Sequence, residues 1–444
     1  MKNSLENRRF FPDRRLVLGA LGGAALAPLL PARLAAAQAS APLALSLKPG
    51  EVLLRPNPPA APVWFLGTAD PGFISRVKQG SDLAVSLVNE STATAALACR
   101  GLDGATAAMA LTAQPPAAPG ARSSITLPLR HPGTFLLDPG LLGDGAERPA
   151  LGCVLIAAET APPPADLDEV LLIEDWRIDG NGGKALAPGQ STEAAAQFTV
   201  NRKPTFDLSV KPNQRLRLRM INGCQRAMIA LKIAGHDVHV MAIDSQPAEP
   251  FVARDGQLVL APGTRIDALL DATQPPGSTS DILLHDGNTP RSIGRIVTSQ
   301  ERAVRAAALA APTPFPSTGQ PARPDLRNAL RIDLSLDPAA SWIAPAKFDK
   351  SSPPAFKAKR GRTVVLALKN ATASAQVFRM YGHHVRLLDK LDDGWKPFWL
   401  DTLALQPGET QRVAFVAEFA GKWLIESVAP VWQAPRLVRW FAVD

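Results

Sequence analysis

Two short segments, each present three times in the same order, constrain the fold of this chain more than any other feature. The first segment opens with Lys and a turn residue and closes on Asn: KQGSDLAVSLVN (78–89), KPNQRLRLRMIN (211–222) and KRGRTVVLALKN (359–370). Its apolar positions alternate with mostly polar or small ones, which is typical of a half-buried strand that follows a turn. The second segment follows 30 to 40 residues later: PGARSSITL from Pro119, PGTRIDALL from Pro262 and PGETQRVAF from Pro407.

This repetition predicts three homologous β-domains, each of the size of a Greek-key sandwich. Pro-rich stretches mark the joints between them, namely ETAPPPADLD (159–168) and AALAAPTPFPSTGQPARPD (307–325). Helical periodicity is scarce, and 42 prolines suit a protein with many loops. We therefore predict an all-β protein with a leader at 1–39, domains at 40–163, 164–305 and 326–444, and an Ala/Pro-rich linker at 306–325.

The first 39 residues have the composition of an export signal. An Arg-rich head precedes an apolar stretch from Leu16 to Leu30, and small residues stand at Ala37 and Ala39. The pair Arg14-Arg15 and the Gly/Ala-rich apolar core resemble a twin-arginine signal, which carries folded proteins. The alternative is a membrane anchor, but this stretch is shorter than the roughly 20 residues that span a bilayer. We predict cleavage after Ala39, a periplasmic location and no transmembrane segment in the mature chain.

Charge and cysteine content exclude two further classes of protein. Beyond the leader, 42 Lys and Arg residues accompany 38 Asp and Glu residues. Such a small, unclustered excess predicts no nucleic-acid partner. The three widely spaced cysteines, Cys99, Cys153 and Cys224, imply no disulfide framework, and we expect buried free thiols.

Longer stretches resemble the multicopper oxidase family. LLIEDWRIDG, LRLRMINGCQRAMIALKIAGHDVHVMAIDSQPAEP and LAPGTRIDALLDA are similar to the middle domain of that family. VNESTATAALACRGLDG and GTFLLDPGLL match its first domain, and VFRMYGHHVRLL and GKWLIESV match its third. The resemblance implies three cupredoxin-like Greek-key β-sandwiches. In the family, histidines and one cysteine in four motifs bind a blue copper in the last domain and a trinuclear copper cluster between the first and last domains.

Here the motifs keep their glycines and a tryptophan but lose the ligands, since the ligand positions that the resemblance implies hold neither His nor Cys. These positions are Ala98 and Arg100, then Asp138 and Gly140, then Gln376, Arg379 and Tyr381, and finally Glu426, Ser427, Val428, Trp432 and Leu437. Blue copper needs a thiolate with two imidazoles, and six histidines are too few to rebuild the family's sites. We expect no catalytic residue, no metal ligand and no cofactor; the alternative cofactor is copper.

The vacated trinuclear position should bring together a structural cluster between the first and third domains: Arg100, Asp138, Arg379, Tyr381 and Glu426. Guanidinium groups match carboxylates in bidentate geometry, so an Arg/carboxylate set could join the domains where copper does in the family. In the alternative, these side chains turn to solvent. At the vacated blue-copper position, we expect Trp432 to fill the space.

The remaining histidines offer little for a metal. His236 and His239 stand three residues apart, and His383 and His384 are adjacent. Adjacent side chains of a strand point to opposite faces. We therefore expect structural or surface roles for both pairs, and solvated side chains for His131 and His285.

The sequence leaves more than one function open. No nucleophile, P-loop or dinucleotide motif marks another active site, although carboxylate-based catalysis leaves no sequence motif. The loss of the copper ligands favours a non-enzymatic protein. The resemblance to the copper-less, FtsP-like branch implies a monomeric scaffold that binds periplasmic or membrane-anchored envelope proteins, in cell division or envelope maintenance. The alternatives are a copper-dependent oxidoreductase, either laccase-like or a metal-ion oxidase, and a small-molecule pocket in the family's substrate region.

Overall fold

A computed structural model of the protein describes residues 42–55, 59–68, 72–80, 82–179, 183–321, 324–388 and 395–444. The expected leader, with Arg14, Arg15 and the boundary after Ala39, lies outside the described residues. Within the described part of the chain, no helix combines the length and apolar character needed to cross a membrane.

The first sandwich is formed by the first part of the described chain. Its strands are β1 (Leu43–Val52), β2 (Ala61–Gly67), β3 (Ile74–Lys78), β4 (Asp82–Asn89), β5 (Ala98–Arg100), β6 (Arg122–Pro128), β7 (Gly133–Asp138), β8 (Ala150–Leu151) and β9 (Cys153–Ala158). One sheet has the order β6-β4-β1-β2-β8, and the other has the order β3-β9-β7-β5. A one-turn 3-10 helix, Thr106–Ala108, lies between β5 and β6.

The second sandwich follows. Its strands are β10 (Leu167–Trp176), β11 (Gln197–Val200), β12 (Phe206–Val210), β13 (Arg215–Asn222), β14 (Ile229–Ile233), β15 (His239–Ile243), β16 (Gln246–Val252), β17 (Gln257–Leu260), β18 (Arg265–Asp271), β19 (Thr279–His285) and β20 (Arg291–Thr298). The sheets have the orders β11-β10-β13-β18-β15-β16 and β12-β20-β19-β14-β17. A 3-10 turn, Arg254–Gly256, separates β16 from β17.

The third sandwich completes the chain. Its strands are β21 (Leu330–Ser335), β22 (Lys357–Ala358), β23 (Thr363–Lys369), β24 (Gln376–Met380), β25 (Val385–Leu388), β26 (Trp395–Leu400), β27 (Thr402–Leu405), β28 (Thr410–Val416), β29 (Gly421–Val428) and β30 (Leu437–Val443). The sheets have the orders β21-β23-β28-β25-β26 and β22-β30-β29-β24-β27. A 3-10 turn, Pro345–Lys347, precedes β22. The prediction of an all-β protein with three sandwiches is confirmed; the exact domain and linker boundaries stay predictions.

The two repeated segments form neighbouring strands in every sandwich. The first segment supplies β4, β13 and β23, and the second supplies β6, β18 and β28. Each first-segment strand pairs antiparallel with the second-segment strand of its own domain. On its other side it pairs parallel with β1, β10 or β21. The repetition in the sequence therefore marks the same pair of strands three times.

The closing Asn of the first segment has the same role in each domain. Asn89, Asn222 and Asn370 are fully buried. Each side-chain amide donates to two backbone carbonyls, one four or five residues ahead and one far along the chain. Each Oδ1 accepts from the backbone N–H two residues ahead. These contacts satisfy the backbone where the chain leaves the strand, as buried polar groups require.

Contacts between the first and third sandwiches are both polar and apolar. The backbone N–H of Gly104 donates to the Gly382 carbonyl over 3.0 Å, and the Thr112 hydroxyl donates to the Lys422 carbonyl over 2.8 Å. Ala98 and Met109 belong to the same apolar core as Phe378 of the third sandwich. The first and third domains therefore share an interface with both hydrogen bonds and buried apolar contacts.

The three cysteines are buried and unpaired with one another, as the sequence predicts. Burial raises the pKa of Cys99 to about 12, and it raises that of Cys153 to about 12 as well. The thiolate is the reactive form of cysteine, so these thiols are inert packing groups.

Candidate functional site

The first-domain side of the site is formed by two paired strands. Ala98 and Arg100 lie on β5, and Asp138 ends β7 opposite Ala98. The Arg100 guanidinium donates to Asp138 Oδ2, and the backbone N–H of Gly140 donates to Asp138 Oδ1 over 2.8 Å. Burial alone would raise the pKa of Asp138, but the charges of Arg100 and Arg436 hold it well below its usual range. This carboxylate is therefore fully ionised inside the protein.

The third-domain side of the site also pairs an arginine with a buried carboxylate. The register of β24 and β29 places Arg379 directly opposite Glu426. The Arg379 guanidinium donates to Glu426 Oε1, and the Tyr381 hydroxyl donates to Glu426 Oε2 over 2.8 Å. Arg379 Nε also donates to the Pro262 carbonyl of the second domain over 2.9 Å. The cross-strand register thus satisfies both oxygens of a carboxylate that is fully buried.

Arg436, which sequence reasoning missed, connects these two sides. Its Nη1 lies 3.4 Å from Asp138 Oδ2, and its Nε lies 3.4 Å from Glu426 Oε1. Its Nη2 donates to Gln225 Oε1 over 3.0 Å, and its backbone N–H donates to Asp144 Oδ2 over 2.7 Å. One buried guanidinium therefore touches residues of all three domains.

The structure brings together all five residues expected in the cluster, and all five are buried. The expected Arg/carboxylate pairs lie within their own domains: Arg100 pairs with Asp138, and Arg379 pairs with Glu426. The Arg-to-carboxylate contact between the first and third domains is made by Arg436 and Asp138 instead. The position of Arg436 just before Leu437, an implied ligand position, could have drawn attention to it.

Three guanidinium groups surround two carboxylates in this cluster, which leaves a surplus positive charge. Burial alone would raise the pKa of Glu426, but Arg379, Arg436 and Arg100 outweigh it and hold the pKa at about 2. Burial and the like charge of Arg100 lower the pKa of Arg379 to about 10.

The residues present do not fit copper. A guanidinium has no lone pair to give a metal, and copper sites in proteins use thiolate and imidazole donors. In the described ranges, no group of three or more His, Cys, Asp and Glu residues could hold a metal ion. A cavity lined by Arg100 and Asp138 measures only about 10 Å³, about the room of a single water molecule.

The positions of the family's blue copper hold a small hydrogen-bonded pair. Ser427 donates to Gln376 Oε1 over 3.2 Å, and both side chains are buried. Val428 packs with Val377 in a separate apolar group. Leu437 begins β30 opposite Ser427.

Trp432 lies elsewhere than expected. Its ring stacks with the Arg177 guanidinium of the second domain, at 5.0 Å, and its carbonyl accepts from the backbone N–H of Gly189 over 2.8 Å. It borders an open cavity of about 360 Å³ that Arg177, Arg226 and Met228 also line. A turn from Val431 to Ala434 contains Trp432, and the buried ring packs against the second domain.

A second charged cluster lies at the junction of the three domains. His384 Nδ1 lies 2.8 Å from Asp103 Oδ1, and His384 Nε2 lies 2.7 Å from the Asp244 carbonyl. Arg265 pairs with Asp401 over 2.6 Å. Burial would lower the pKa of His384, but Asp103 outweighs it and raises the pKa to about 9. Burial and Asp401 raise the pKa of Asp244.

The other histidines have structural environments. His236 is buried between the Asp271 carbonyl and the Ser280 hydroxyl, and His239 is half-buried on β15. His383 lies among the rings of Phe415, Phe419, Trp423 and Phe441, and burial lowers its pKa to about 4. His285 is exposed as expected, whereas His131 is half-buried against the expectation because it borders a small cavity between domains.

Comparison with protein families gives two matches, both to models described as multicopper oxidase, over residues 168–279 and 320–444. Laccase-2 of Oryza sativa subsp. japonica is 31% identical over 131 residues, which are 26% of this chain and 23% of that protein. Laccase-7 of Arabidopsis thaliana is 27% identical over 232 residues, which are 46% of this chain and 39% of that protein. The chain spans less than half the length of these curated relatives.

Solved structures match over most of the chain. A multi-copper oxidase from Pseudomonas thermotolerans superposes with a TM-score of 0.77 at 22% identity, over 91% of this chain and 99% of that one. Lac15 from a marine microbial metagenome gives a TM-score of 0.74 at 22% identity, over 91% of this chain and 100% of that one. At this identity the likeness shows the fold alone, and it confirms three cupredoxin-like sandwiches.

Proposed function

Since this chain belongs to the multicopper oxidase family, with three cupredoxin domains, yet carries arginines at implied copper positions, we propose that it is a copper-independent binding protein. The observation that carries this proposal is the buried contact of Arg436 with Asp138 and Glu426. In this proposal, the ionic network around Arg436 holds the first and third domains together, as the trinuclear copper cluster does in the family.

The charge of the cluster supports this proposal over oxidase activity. A cupric ion entering among Arg100, Arg379 and Arg436 meets like charge in a region of low dielectric, where repulsion is strong. Both nearby carboxylates are already paired with guanidinium groups. The site therefore stabilises the assembly of domains and offers no open position for a metal or dioxygen.

The proposed place of action is the bacterial envelope. The leader with Arg14-Arg15 supports export in folded form, and the resemblance to the FtsP-like branch supports a monomeric scaffold in cell division or envelope maintenance. The proposed partners are periplasmic or membrane-anchored envelope proteins.

The second domain offers a surface for such a partner. Val252 on β16 and Val259 on β17 are 50% and 67% exposed, although both side chains are apolar. β17 lies at the end of its sheet order, where its outer edge can take an added strand, whereas β16 packs against β26 of the third domain. Partner proteins commonly add a strand at such an edge and place apolar side chains in contact.

Crosslinking in living cells tests this proposal. We expect the wild-type protein to crosslink to an envelope protein, and Val259→Lys to lose that product because a charge interrupts the apolar edge. Val304→Lys is the matched control, since Val304 is 40% exposed and lies outside both strands. Equal crosslinking by all three proteins would exclude this edge, and no product above background with the wild type would contradict a scaffold.

The second candidate is a copper-dependent oxidoreductase, which the names of the laccase relatives favour. It predicts a blue absorption band and oxygen consumption with phenols or reduced metal ions after copper loading. The binding-protein proposal predicts neither, because no thiolate and imidazole set is available to bind copper.

A further inference from the structure

A cavity of about 470 Å³ lies beneath the Ala/Pro-rich segment that follows the second sandwich. Its walls are two proline-rich segments, 161–164 and 309–316, and its floor includes Arg217, Asp267 and Leu269 of the second-domain sheet. This volume is in the range of small-molecule pockets. The cavity is separate from the copper positions and from the cavity beside Trp432.

The walls of this cavity are held in place before any ligand binds. Arg215 Nη2 donates to the carbonyls of Leu309 and Ala310 over 3.1 and 2.8 Å. Arg305 pairs with Asp166 over 2.6 Å at the start of the segment. Proline fixes φ, so a wall rich in proline loses little conformational freedom when a ligand binds.

The Arg217 guanidinium is the polar group of this cavity that lacks hydrogen-bond partners. Arg217 is 2% exposed. Its Nη2 donates to Glu159 over 2.7 Å and to Asp267 over 2.6 Å. Its Nε and Nη1 have no hydrogen-bond partner among the described residues. The Phe315 ring covers the group with its centroid 4.9 Å from Cζ. Buried donors without partners are destabilising, and a ligand oxygen would satisfy them.

The charge around Arg217 decides what kind of oxygen fits. Glu159 and Asp267 already neutralise Arg217, and Asp267 is shared with Arg219. A further anion would meet these carboxylates. A neutral carbonyl oxygen accepts from one of the two free donors, Nε or Nη1, without adding charge; these N–H groups lie on different edges of the guanidinium.

We infer that this cavity binds a small, uncharged, largely apolar molecule whose carbonyl oxygen accepts a hydrogen bond from Arg217. The apolar body lies between the two proline-rich walls. The half-buried Phe315 ring moves off the guanidinium as the carbonyl approaches.

Fluorescence titration of the full chain with three naphthalene probes tests this inference. The probes are a 6-acyl-2-dimethylaminonaphthalene, the same ring without the acyl group, and 6-dimethylamino-2-naphthoate. We expect saturable binding at one site, with the ketone bound about fivefold or more tightly than either analogue, the value of one hydrogen bond. Equal affinities, or tighter binding of the carboxylate, would overturn the role of a neutral acceptor.

Two pairs of variants locate the site. Ala311→Trp fills the cavity from its exposed wall and should weaken binding of the ketone at least about tenfold, whereas Ala307→Trp, on the same segment outside the lining, should leave it unchanged. Arg217→Lys should abolish the preference for the ketone, whereas Arg295→Lys, the same change at an exposed ion pair of the second domain, should retain it. An affinity for the ketone that Ala311→Trp leaves unchanged would contradict the inference. So would a preference for the ketone that remains in Arg217→Lys.

Discussion

At the residue scale, Arg436 connects the two sides of the charged cluster. Arg436 is 1% exposed and contacts a carboxylate of the first domain and one of the third. A buried ion pair contributes little compared with a well-packed apolar group, but the loss of one partner leaves an uncompensated buried charge. The cluster therefore contributes to stability mainly by raising the free energy needed to separate the domains.

Replacing Arg436 with alanine should lower the free energy of unfolding by about 1–3 kcal/mol, because Gln225 Oε1 loses its donor and Asp138 and Glu426 each lose one of the guanidinium groups that they contact. Chemical denaturation with urea measures this change. Arg295→Ala is the control, since Arg295 pairs with Asp207 on the exposed surface, and it should unfold like the parent. If the two variants unfold alike, Arg436 does not hold the domains together.

His384 predicts a loss of stability in mild alkali. Its pKa in the folded protein is raised from 6.5 to about 9, so its contribution is complete below pH 6.5 and is lost as pH rises through 9. Asp244 acts in the same direction, because its folded pKa is also raised. We expect the urea midpoint to fall between pH 6.5 and 9, and His384→Gln to reduce that fall. An unchanged pH dependence in the variant would assign the effect to other groups.

At the element scale, the repeated strand pair explains why so much of the fold could be predicted. A turn, an alternating strand and a buried Asn are local features, and they recur in β4, β13 and β23. The pairing of these strands with β6, β18 and β28 follows from the order of the two repeated segments along the chain. The direction of Trp432 could not be predicted in this way, because a turn in the loop before β30 sets it.

Asn370→Ala should destabilise the third domain by about 1–3 kcal/mol, since it removes a buried amide that donates to the carbonyls of Ser374 and Leu405. Asn328→Ala, at an exposed position, is the matched control and should have little effect. Thermal unfolding of both variants measures the difference. Equal melting temperatures would mean that water replaces these hydrogen bonds at no cost.

At the scale of the whole molecule, the sequence predicted which residues meet but not how they pair. Arg100 and Glu426 could be placed from motif positions, because glycines and Trp423 keep the motifs in register. The contacts of Arg436 depend on how three domains pack, and no local pattern encodes that. The same holds for the junction around His384, where side chains from all three domains converge.

We propose that charged side chains hold the first and third domains together where the resemblance implies a copper cluster. The most direct test is the copper content of the folded, full-length protein after exposure to excess cupric ion and dialysis, measured by mass spectrometry. We predict that copper stays well below one ion per chain and that the protein unfolds at the same temperature with or without this treatment. One or more copper ions retained per chain, with a blue absorption band, would contradict the account.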